Sequence, residues 1–194
     1  MTSNADTAVT TTRKIPGELG IWLFIAGDLI VFTVFFVLIA LGQTTQPEVF
    51  TQSRAALDLR IGVLNTLLLL TGSWLAAVAV EKCKSTDSSY AKSYFSLAII
   101  CGAGFIANKA FEWSQKIGDG LSPATNDFYM YFFIFTGIHL VHVLIGIGIL
   151  FLVRNISTRP SLNAQDIRGI ESGSMFWHLV DLLWVVLFAL LYLL

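Results

Sequence analysis

Five long apolar stretches constrain this chain more than any other feature of its sequence. A bilayer core about 30 Å thick needs about 20 apolar helical residues per crossing, and each of the five stretches reaches that length. Polar segments between them carry three of the four prolines. We therefore predict an all-α fold, a polytopic membrane bundle of five transmembrane helices. The predicted helices lie at about Glu18–Leu41, Leu59–Val80, Tyr90–Phe111, Phe128–Val153 and Ser174–Leu194.

The composition agrees with a membrane protein. Hydrophobic residues make up 55% of the 194 residues and charged residues only 13%, whereas soluble domains carry roughly a quarter charged residues. The formal net charge of -1 gives no basic surface for nucleic acid, so no nucleic-acid partner is expected. Cys83 and Cys101 belong to no C-x-x-C or zinc-type spacing. Disulfides and thiolate metal sites therefore have no support.

The domain organisation predicted from the sequence is simple. Residues 1–16 form a polar, Thr-rich tail that we expect to be disordered, and residues 17–194 form a single five-helix membrane domain. The longest polar loop has about twenty residues, which leaves no water-soluble domain.

Orientation follows from the basic residues, because Lys and Arg near helix ends are retained on the cytoplasmic side. With the N-terminus inside, eight of the twelve basic residues are cytoplasmic and four are not. This distribution predicts a cytoplasmic N-terminus and an outside C-terminus. The four on the other side are Arg54, Arg60, Lys109 and Lys116.

Polar residues inside the predicted helices mark the candidate site. An ionisable group at bilayer depth costs roughly 2.5–3.5 kcal/mol, so such groups are expected to face other helices or water. On the fifth predicted helix, four polar residues share one helical face; they are Glu171, Ser174, His178 and Asp181. The other predicted helices contribute Asp28, Asn65, Glu112, and the pair His139 and His142.

Three uses of the histidines were weighed. A membrane haem is usually held by one histidine from each of two helices, which His139 or His142 could supply together with His178. A binuclear iron site needs more ligands than this, because Asp28 and Asp181 are the only deep carboxylates. We therefore expect no metal in this chain. A packing network is favoured over a proton relay, with His178 and Asp181 hydrogen bonded to each other and to a neighbour.

The tryptophans are interpreted as membrane anchors, because they lie near segment ends or in expected lipid-facing positions. Two of them, Trp177 and Trp184, flank the polar face of the fifth predicted helix. They are candidates to line a lipid site.

These stretches resemble, in order, the signature motifs of subunit III of the haem-copper oxidases. GIWLFIAGDLIVFTVFF is similar to the helix that carries the family's first membrane carboxylate, with Asp28 where Glu is usual. LNT and KAFEW are similar to motifs in the family's next two helices. FFIFTGIHLVHVLIG resembles Thr-Gly-x-His-x-x-His-Val-x-x-Gly, and ESGSMFWHLVDLLWVVLF resembles Glu…Trp-His-x-x-Asp-x-x-Trp. The chain resembles a five-helix short form, closest to the nitric-oxide-reductase-associated branch.

The resemblance implies a noncatalytic integral-membrane subunit of a terminal oxidase in the bacterial cell membrane. Haem and copper would lie in the partner, catalytic subunit I, which oxidises cytochrome c and reduces oxygen, and this chain would hold no redox centre. It would stabilise that partner, support proton uptake and bind structural phospholipid. Asp28 would be the proton-related carboxylate. The polar framework, with lipid contacts, would comprise Asn65, Glu112, His139, His142, Glu171, Trp177, His178, Asp181 and Trp184.

Two other functions remain open at this point. The chain is also compatible with an accessory subunit of nitric oxide reductase. An independent proton channel or transporter is a hypothesis of another class. The sequence shows neither an inverted repeat nor paired Gly/Pro-broken helices that would favour a transporter.

Overall fold

The fold was obtained as a computed structural model, which describes residues 19–85 and 90–194. The predicted tail, residues 1–16, lies outside the described residues. Within these ranges every regular secondary-structure element is a helix. The helices are α1 (Leu19–Thr45), α2 (Pro47–Ala55), α3 (Leu59–Lys84), α4 (Ala91–Gly118), α5 (Asp127–Ile156) and α6 (Ala164–Phe188), followed by a π-helical turn, Ala189–Leu193.

Five of these helices are long and apolar enough to cross a membrane by length and composition: α1, α3, α4, α5 and α6, the last continued by the π-helical turn. The all-α class and the five predicted crossings are thereby confirmed. Helix α4 continues seven residues past the predicted end at Phe111. The hydropathy of its last two turns is low, but the backbone there remains helical, and Lys116 donates a 2.6 Å hydrogen bond to the carbonyl of Ala56.

Helix α2 lies in a segment that the sequence analysis treated as a loop. Pro47 starts this helix, where its missing N–H leaves no hydrogen bond unmade. Glu48 in the first turn and Arg54 in the last have the signs that the helix dipole favours. Phe50 is fully buried and packs edge-on against Phe128 of α5, with ring centroids 5.4 Å apart. One buried aromatic ring thus fixes a short polar helix on the bundle.

Helix α6 begins at Ala164, ten residues before the predicted Ser174, so that part of the loop prediction is wrong. Asn163 caps the helix by accepting hydrogen bonds from the backbone N–H groups of Gln165 and Asp166, at 2.9 and 2.8 Å. The Asp166 carboxylate accepts from the Asn163 N–H in return, which completes a capping box. The cap starts the helix in polar sequence that hydropathy alone assigns to a loop.

The core lies among α3, α4, α5 and α6, in which α6 packs mainly against α3 and α5 and α4 packs against those same two helices. One side chain shows why these helices approach closely. Trp177 of α6 is fully buried between glycines on the three other helices. A Cβ atom at Gly102 of α4 would lie 2.7 Å from the Trp177 ring, and one at Gly146 of α5 would lie 2.8 Å from it. Gly72 of α3 borders the same ring. We call this arrangement the glycine socket; it positions α6 in the bundle.

Helix α1 differs from the others because it lies at the edge of the bundle. Most of its apolar side chains are exposed, as Leu23 and Ile30 illustrate. Its buried contacts come chiefly from Phe32 and Ile39, which are fully enclosed. The polar residue Asp28 therefore lies on the least buried of the membrane-crossing helices.

Candidate functional site

The first polar cluster, which we call the edge pair, joins α1 to α5. His142 Nε2 lies 3.2 Å from Asp28 Oδ2, and His142 Nδ1 lies 2.9 Å from the carbonyl oxygen of Ile138. A carbonyl oxygen only accepts, so Nδ1 carries a proton. Asp28 Oδ2 is itself buried and has no hydrogen-bond partner among the described residues. The contact with His142 Nε2 is therefore an approach within ion-pair distance and not a hydrogen bond.

The edge pair reaches the surface of the bundle. About one-seventh of each side chain is accessible, 15% for Asp28 and 16% for His142. Phe32 packs edge-on behind the imidazole, with ring centroids 5.4 Å apart, and closes the inner side. The pair therefore lies at the edge of the bundle, and Phe32 separates the imidazole from the interior.

The second cluster, which we call the buried triad, is closed to solvent. Lys109 Nζ donates to Glu112 Oε2 at 2.7 Å and to the Tyr192 hydroxyl at 2.9 Å. The Tyr192 hydroxyl donates to Glu112 Oε1 at 2.6 Å. The Lys109 side chain is fully buried and that of Glu112 is 1% exposed. Each charge is therefore compensated inside the cluster, as a buried ion pair requires.

Aromatic rings complete the surroundings of the Lys109 ammonium group. Its nitrogen lies 4.6 Å from the ring centroid of Phe132, 5.0 Å from that of Trp184 and 5.4 Å from that of Tyr192. Such cation–π contacts are worth about 2 kcal/mol or more when desolvated. The sequence analysis selected Glu112 but missed Lys109 and Tyr192 as its partners. The available signal for the ion pair was the spacing of a Lys and a Glu three residues apart on an apolar helix.

The third cluster, which we call the serine bridge, joins α3 to α6. Ser73 Oγ lies 2.5 Å from His178 Nδ1, whereas Asp181 Oδ1 is buried without a hydrogen-bond partner among the described residues. The predicted hydrogen bond between His178 and Asp181 does not form, because His178 is bonded to Ser73 instead. Nothing in the sequence of α3 singled out Ser73, which is buried among apolar residues. His178 Nε2 lies 3.5 Å from Ser174 Oγ, at the limit of a hydrogen bond.

Other predicted framework residues serve as contacts between helices. Asn65 of α3 accepts a 3.1 Å hydrogen bond from Asn108 of α4. Glu171 of α6 forms an ion pair with Lys84 of α3 at 2.5 Å. His139 is fully buried and packs edge-on against Phe105, with centroids 5.6 Å apart.

Both tryptophans predicted to contact lipid are fully buried, Trp177 in the glycine socket and Trp184 beside the buried triad. The Trp184 Nε1–H donates to Thr66 Oγ1 at 3.0 Å. Trp22 and Trp74 are instead 41% and 63% exposed, as expected of membrane anchors. For Trp177, glycines on neighbouring helices account for the burial, because they let a large ring enter the core.

The three histidines lie in three different environments. His142 is in the edge pair, His178 is in the serine bridge and His139 lies among aromatic rings. In the part of the chain that the structure describes, no three or more His, Cys, Asp or Glu side chains group as metal ligands would. The arrangement can hold protons and fix helices.

Sequence comparisons agree with this architecture. The profile of the family described as "Cytochrome c oxidase subunit III" matches residues 3–194. The chain is 30% identical to cytochrome c oxidase subunit 3 of Thermostichus vulcanus over 177 residues, which cover 91% of this chain and 86% of the relative.

Two further relatives have different electron donors in their names. Cytochrome c oxidase subunit 3 of Bacillus sp. (strain PS3) is 26% identical, over 90% of this chain and 84% of its own length. Quinol oxidase subunit 3 of Bacillus spizizenii is 27% identical, over 90% and 85% respectively. With five helices able to cross a membrane and a family match along almost its whole length, the chain belongs to the cytochrome c oxidase subunit III family.

Proposed function

We propose that this chain is the noncatalytic subunit III of a bacterial terminal oxidase, in which it stabilises the catalytic subunit and supports proton uptake. Its relatives are named as subunits of cytochrome c oxidases and quinol oxidases. In this proposal the electron donor of the complex is either cytochrome c or a quinol. Haem and copper belong, in this proposal, to the partner, catalytic subunit I, and this chain contributes protein and phospholipid contacts.

The observation that carries the proposal is the edge pair. Asp28 and His142 lie 3.2 Å apart and are both partly accessible, where α1, the least buried of the membrane-crossing helices, meets α5. A proton in that position can exchange with water or with a neighbouring subunit, which the sealed buried triad does not allow. Its position therefore supports a role in proton supply at a subunit boundary.

The exposed face of α1 supports the proposed partnership. Leu23, Ile30 and Val34 expose 70%, 67% and 54% of their surfaces next to the edge pair. In a membrane such a face meets lipid or another helix. We propose that the catalytic subunit packs near this face, with phospholipid around it and with the N-terminus on the cytoplasmic side.

The test is purification of the complex in mild detergent, followed by a haem spectrum. We expect a haem-bearing partner to be recovered with this chain, and purification of the chain alone would contradict the proposal. Asp28→Asn should leave the complex assembled but lower proton uptake and oxygen consumption.

Asp58→Asn is the matched control, because Asp58 is an exposed carboxylate that caps α3 and asparagine caps helices equally well. Its proton uptake should equal that of the wild type. If deleting the gene slows nitric oxide reduction and leaves oxygen respiration unchanged, the chain serves nitric oxide reductase. Proton flux through liposomes that contain only this chain would favour an independent channel.

A further inference from the structure

The edge pair leaves one carboxylate oxygen facing outward. Asp28 Oδ2 is enclosed and lies against His142 Nε2. The Asp28 side chain as a whole is nevertheless 15% exposed, so the accessible part of its carboxyl group is on the side of Oδ1. Neither oxygen has a hydrogen-bond partner in the part of the chain that the structure describes. Oδ1 is therefore an outward-facing acceptor that lacks a donor.

The opening to Oδ1 lies on the side of α1 that faces α5. On the opposite side, α1 and α6 form an apolar groove lined by Trp22 and Leu29 of α1 and by residues of α6, and neither member of the edge pair contributes to its lining. Toward the interior, Phe32 packs edge-on against the imidazole. The side on which α1 meets α5 is the one that remains open.

Small and apolar side chains border this opening. With about 100° of rotation per residue, Gly27 and Val31 lie on the side of α1 away from Leu29. Val31 is exposed, and a Cβ atom added at Gly27 would have no atom within 4 Å. On α5 the residues one before and three after His142 are exposed as well. We call this surface the α1–α5 seam; it comprises Gly27, Asp28, Val31, Val141, His142 and Ile145.

The position of the seam within the membrane excludes lipid as the partner of Oδ1. His142 lies at the midpoint of α5, Asp127–Ile156, so the edge pair is near the middle of the bilayer. Hydrocarbon tails carry no hydrogen-bond donor, and headgroups lie about 15 Å away at the two surfaces. A lipid-facing surface at this depth has no water to supply a donor either. Because an unpaired carboxylate there is costly, the group that satisfies Oδ1 is a protein side chain.

A second copy of this chain does not provide that donor. His142 Nδ1 directs its proton to the carbonyl of Ile138, and Nε2 faces Asp28 of the same chain. The remaining members of the seam are glycine or aliphatic residues. Two seams packed about a twofold axis would therefore bring acceptors together and leave both without a donor.

We propose that a membrane helix of the catalytic subunit packs into the α1–α5 seam and donates a hydrogen bond from one of its side chains to Asp28 Oδ1. Gly27 lets that helix approach closely, as small residues do at helix contacts in membranes. The inference rests on the proposed function, because it specifies how the catalytic subunit is held. It also assigns Asp28 a second role, as the acceptor that fixes the depth of one subunit against the other.

Photocrosslinking of the purified complex tests the position of this helix. Val31→p-benzoylphenylalanine places a photoreactive group in the seam, and we expect it to attach to the catalytic subunit on illumination. Leu29→p-benzoylphenylalanine is the matched control, because Leu29 is exposed at a similar depth but lines the groove between α1 and α6. It should give little or no crosslink to that subunit. Mass spectrometry of the crosslinked peptide identifies the helix and its candidate donors.

The hydrogen bond is tested by the rate at which this chain dissociates from the complex in detergent. Asp28→Leu removes the acceptor and should speed dissociation about tenfold or more, the size expected for a hydrogen bond to a charged group. Asp28→Asn keeps an acceptor oxygen and should dissociate at nearly the wild-type rate. Replacement of the identified donor by leucine should match Asp28→Leu, and combining the two should add no further effect.

A steric variant keeps the test decisive if Asp28→Leu fails to fold. Gly27→Leu fills the seam, and its added Cβ atom meets nothing within 4 Å in this chain, so it should speed dissociation without disturbing the bundle. Ala40→Leu is its control, because Ala40 is exposed on the side of α1 that carries Leu29. This control should leave the rate unchanged.

Three results would overturn the inference in a complex that retains its haem-bearing partner. They are attachment of the Val31 probe to lipid only, attachment of the Leu29 probe alone to the catalytic subunit, and equal dissociation rates for Asp28→Leu and Asp28→Asn. Failure to recover any haem-bearing partner would instead contradict the proposed function, so the two failures are distinguishable.

Discussion

The edge pair and the buried triad use the same kinds of side chain in opposite surroundings. Asp28 and His142 meet where α1 lies against the bundle, and both remain partly accessible. Lys109 and Glu112 lie inside the bundle, and the three aromatic rings of Phe132, Trp184 and Tyr192 enclose the ammonium group. Access to the outside, rather than the type of residue, separates a group that can exchange a proton from a group that fixes helices.

The buried triad offers the most direct test of this comparison. Glu112→Leu leaves the Lys109 ammonium group buried without its carboxylate, and removal of one partner from a buried pair typically costs about 3–5 kcal/mol. We expect the yield of assembled complex and its thermal unfolding temperature to fall sharply. The double variant Lys109→Met/Glu112→Leu should recover most of the loss, because no charge remains. A stable single variant would show that the triad does not hold the bundle.

The glycine socket should give the next largest effect. Gly102→Ala would place a Cβ atom 2.7 Å from the Trp177 ring, and overpacking of a core typically costs about 1–3 kcal/mol. Gly148→Ala on α5 is the matched control, since no atom lies within 4 Å of the added Cβ. Thermal unfolding of the two variants should therefore differ clearly. Equal unfolding temperatures would argue against close packing of α6 in the socket.

The edge pair should contribute less to stability than either interior feature. His142→Gln removes one partner of a partly accessible pair, for which we expect a loss of about 1 kcal/mol or less in unfolding free energy. Proton uptake by the complex should fall more noticeably than stability. A large loss of assembled complex would instead place the edge pair among the structural contacts.

The smallest effect is expected at the ion pair between Lys84 and Glu171. Lys84→Gln breaks an ion pair with Glu171 in which the lysine side chain is about half exposed. Exposed pairs of this kind contribute roughly 0–1 kcal/mol and are screened by salt. We expect an unfolding temperature close to that of the wild type at physiological salt. A loss comparable to that of Glu112→Leu would reverse the ranking of surface and interior.

Hydropathy was sufficient for the class of fold and the number of crossings, because a membrane helix must be apolar over its whole span. Hydropathy failed where a helix begins for reasons other than apolar length. The capping box of Asn163 and Asp166 begins α6 in polar sequence, and Pro47 and Phe50 establish α2. Neither feature makes an apolar stretch long enough to cross a membrane, so neither is visible to an analysis based on apolar length.

Helical periodicity identified most of the polar residues but not their pairing. The spacing of His178 and Asp181 placed them on one face, whereas in the structure His178 pairs with Ser73 of α3. Lys109 donates a hydrogen bond to Tyr192, which lies 83 positions further along the chain. Such pairings depend on the rotation and depth of each helix relative to its neighbours, which the sequence of a single helix does not specify.

The glycine socket also has a consequence for the order of assembly during biosynthesis. Helices α3, α4 and α5 are synthesised before Trp177, yet their glycines are spaced to enclose that ring. Helix insertion and helix packing are separate stages for membrane proteins. The three earlier helices can insert and meet one another first, but the glycine socket is filled only after α6 has been inserted and its indole ring enters.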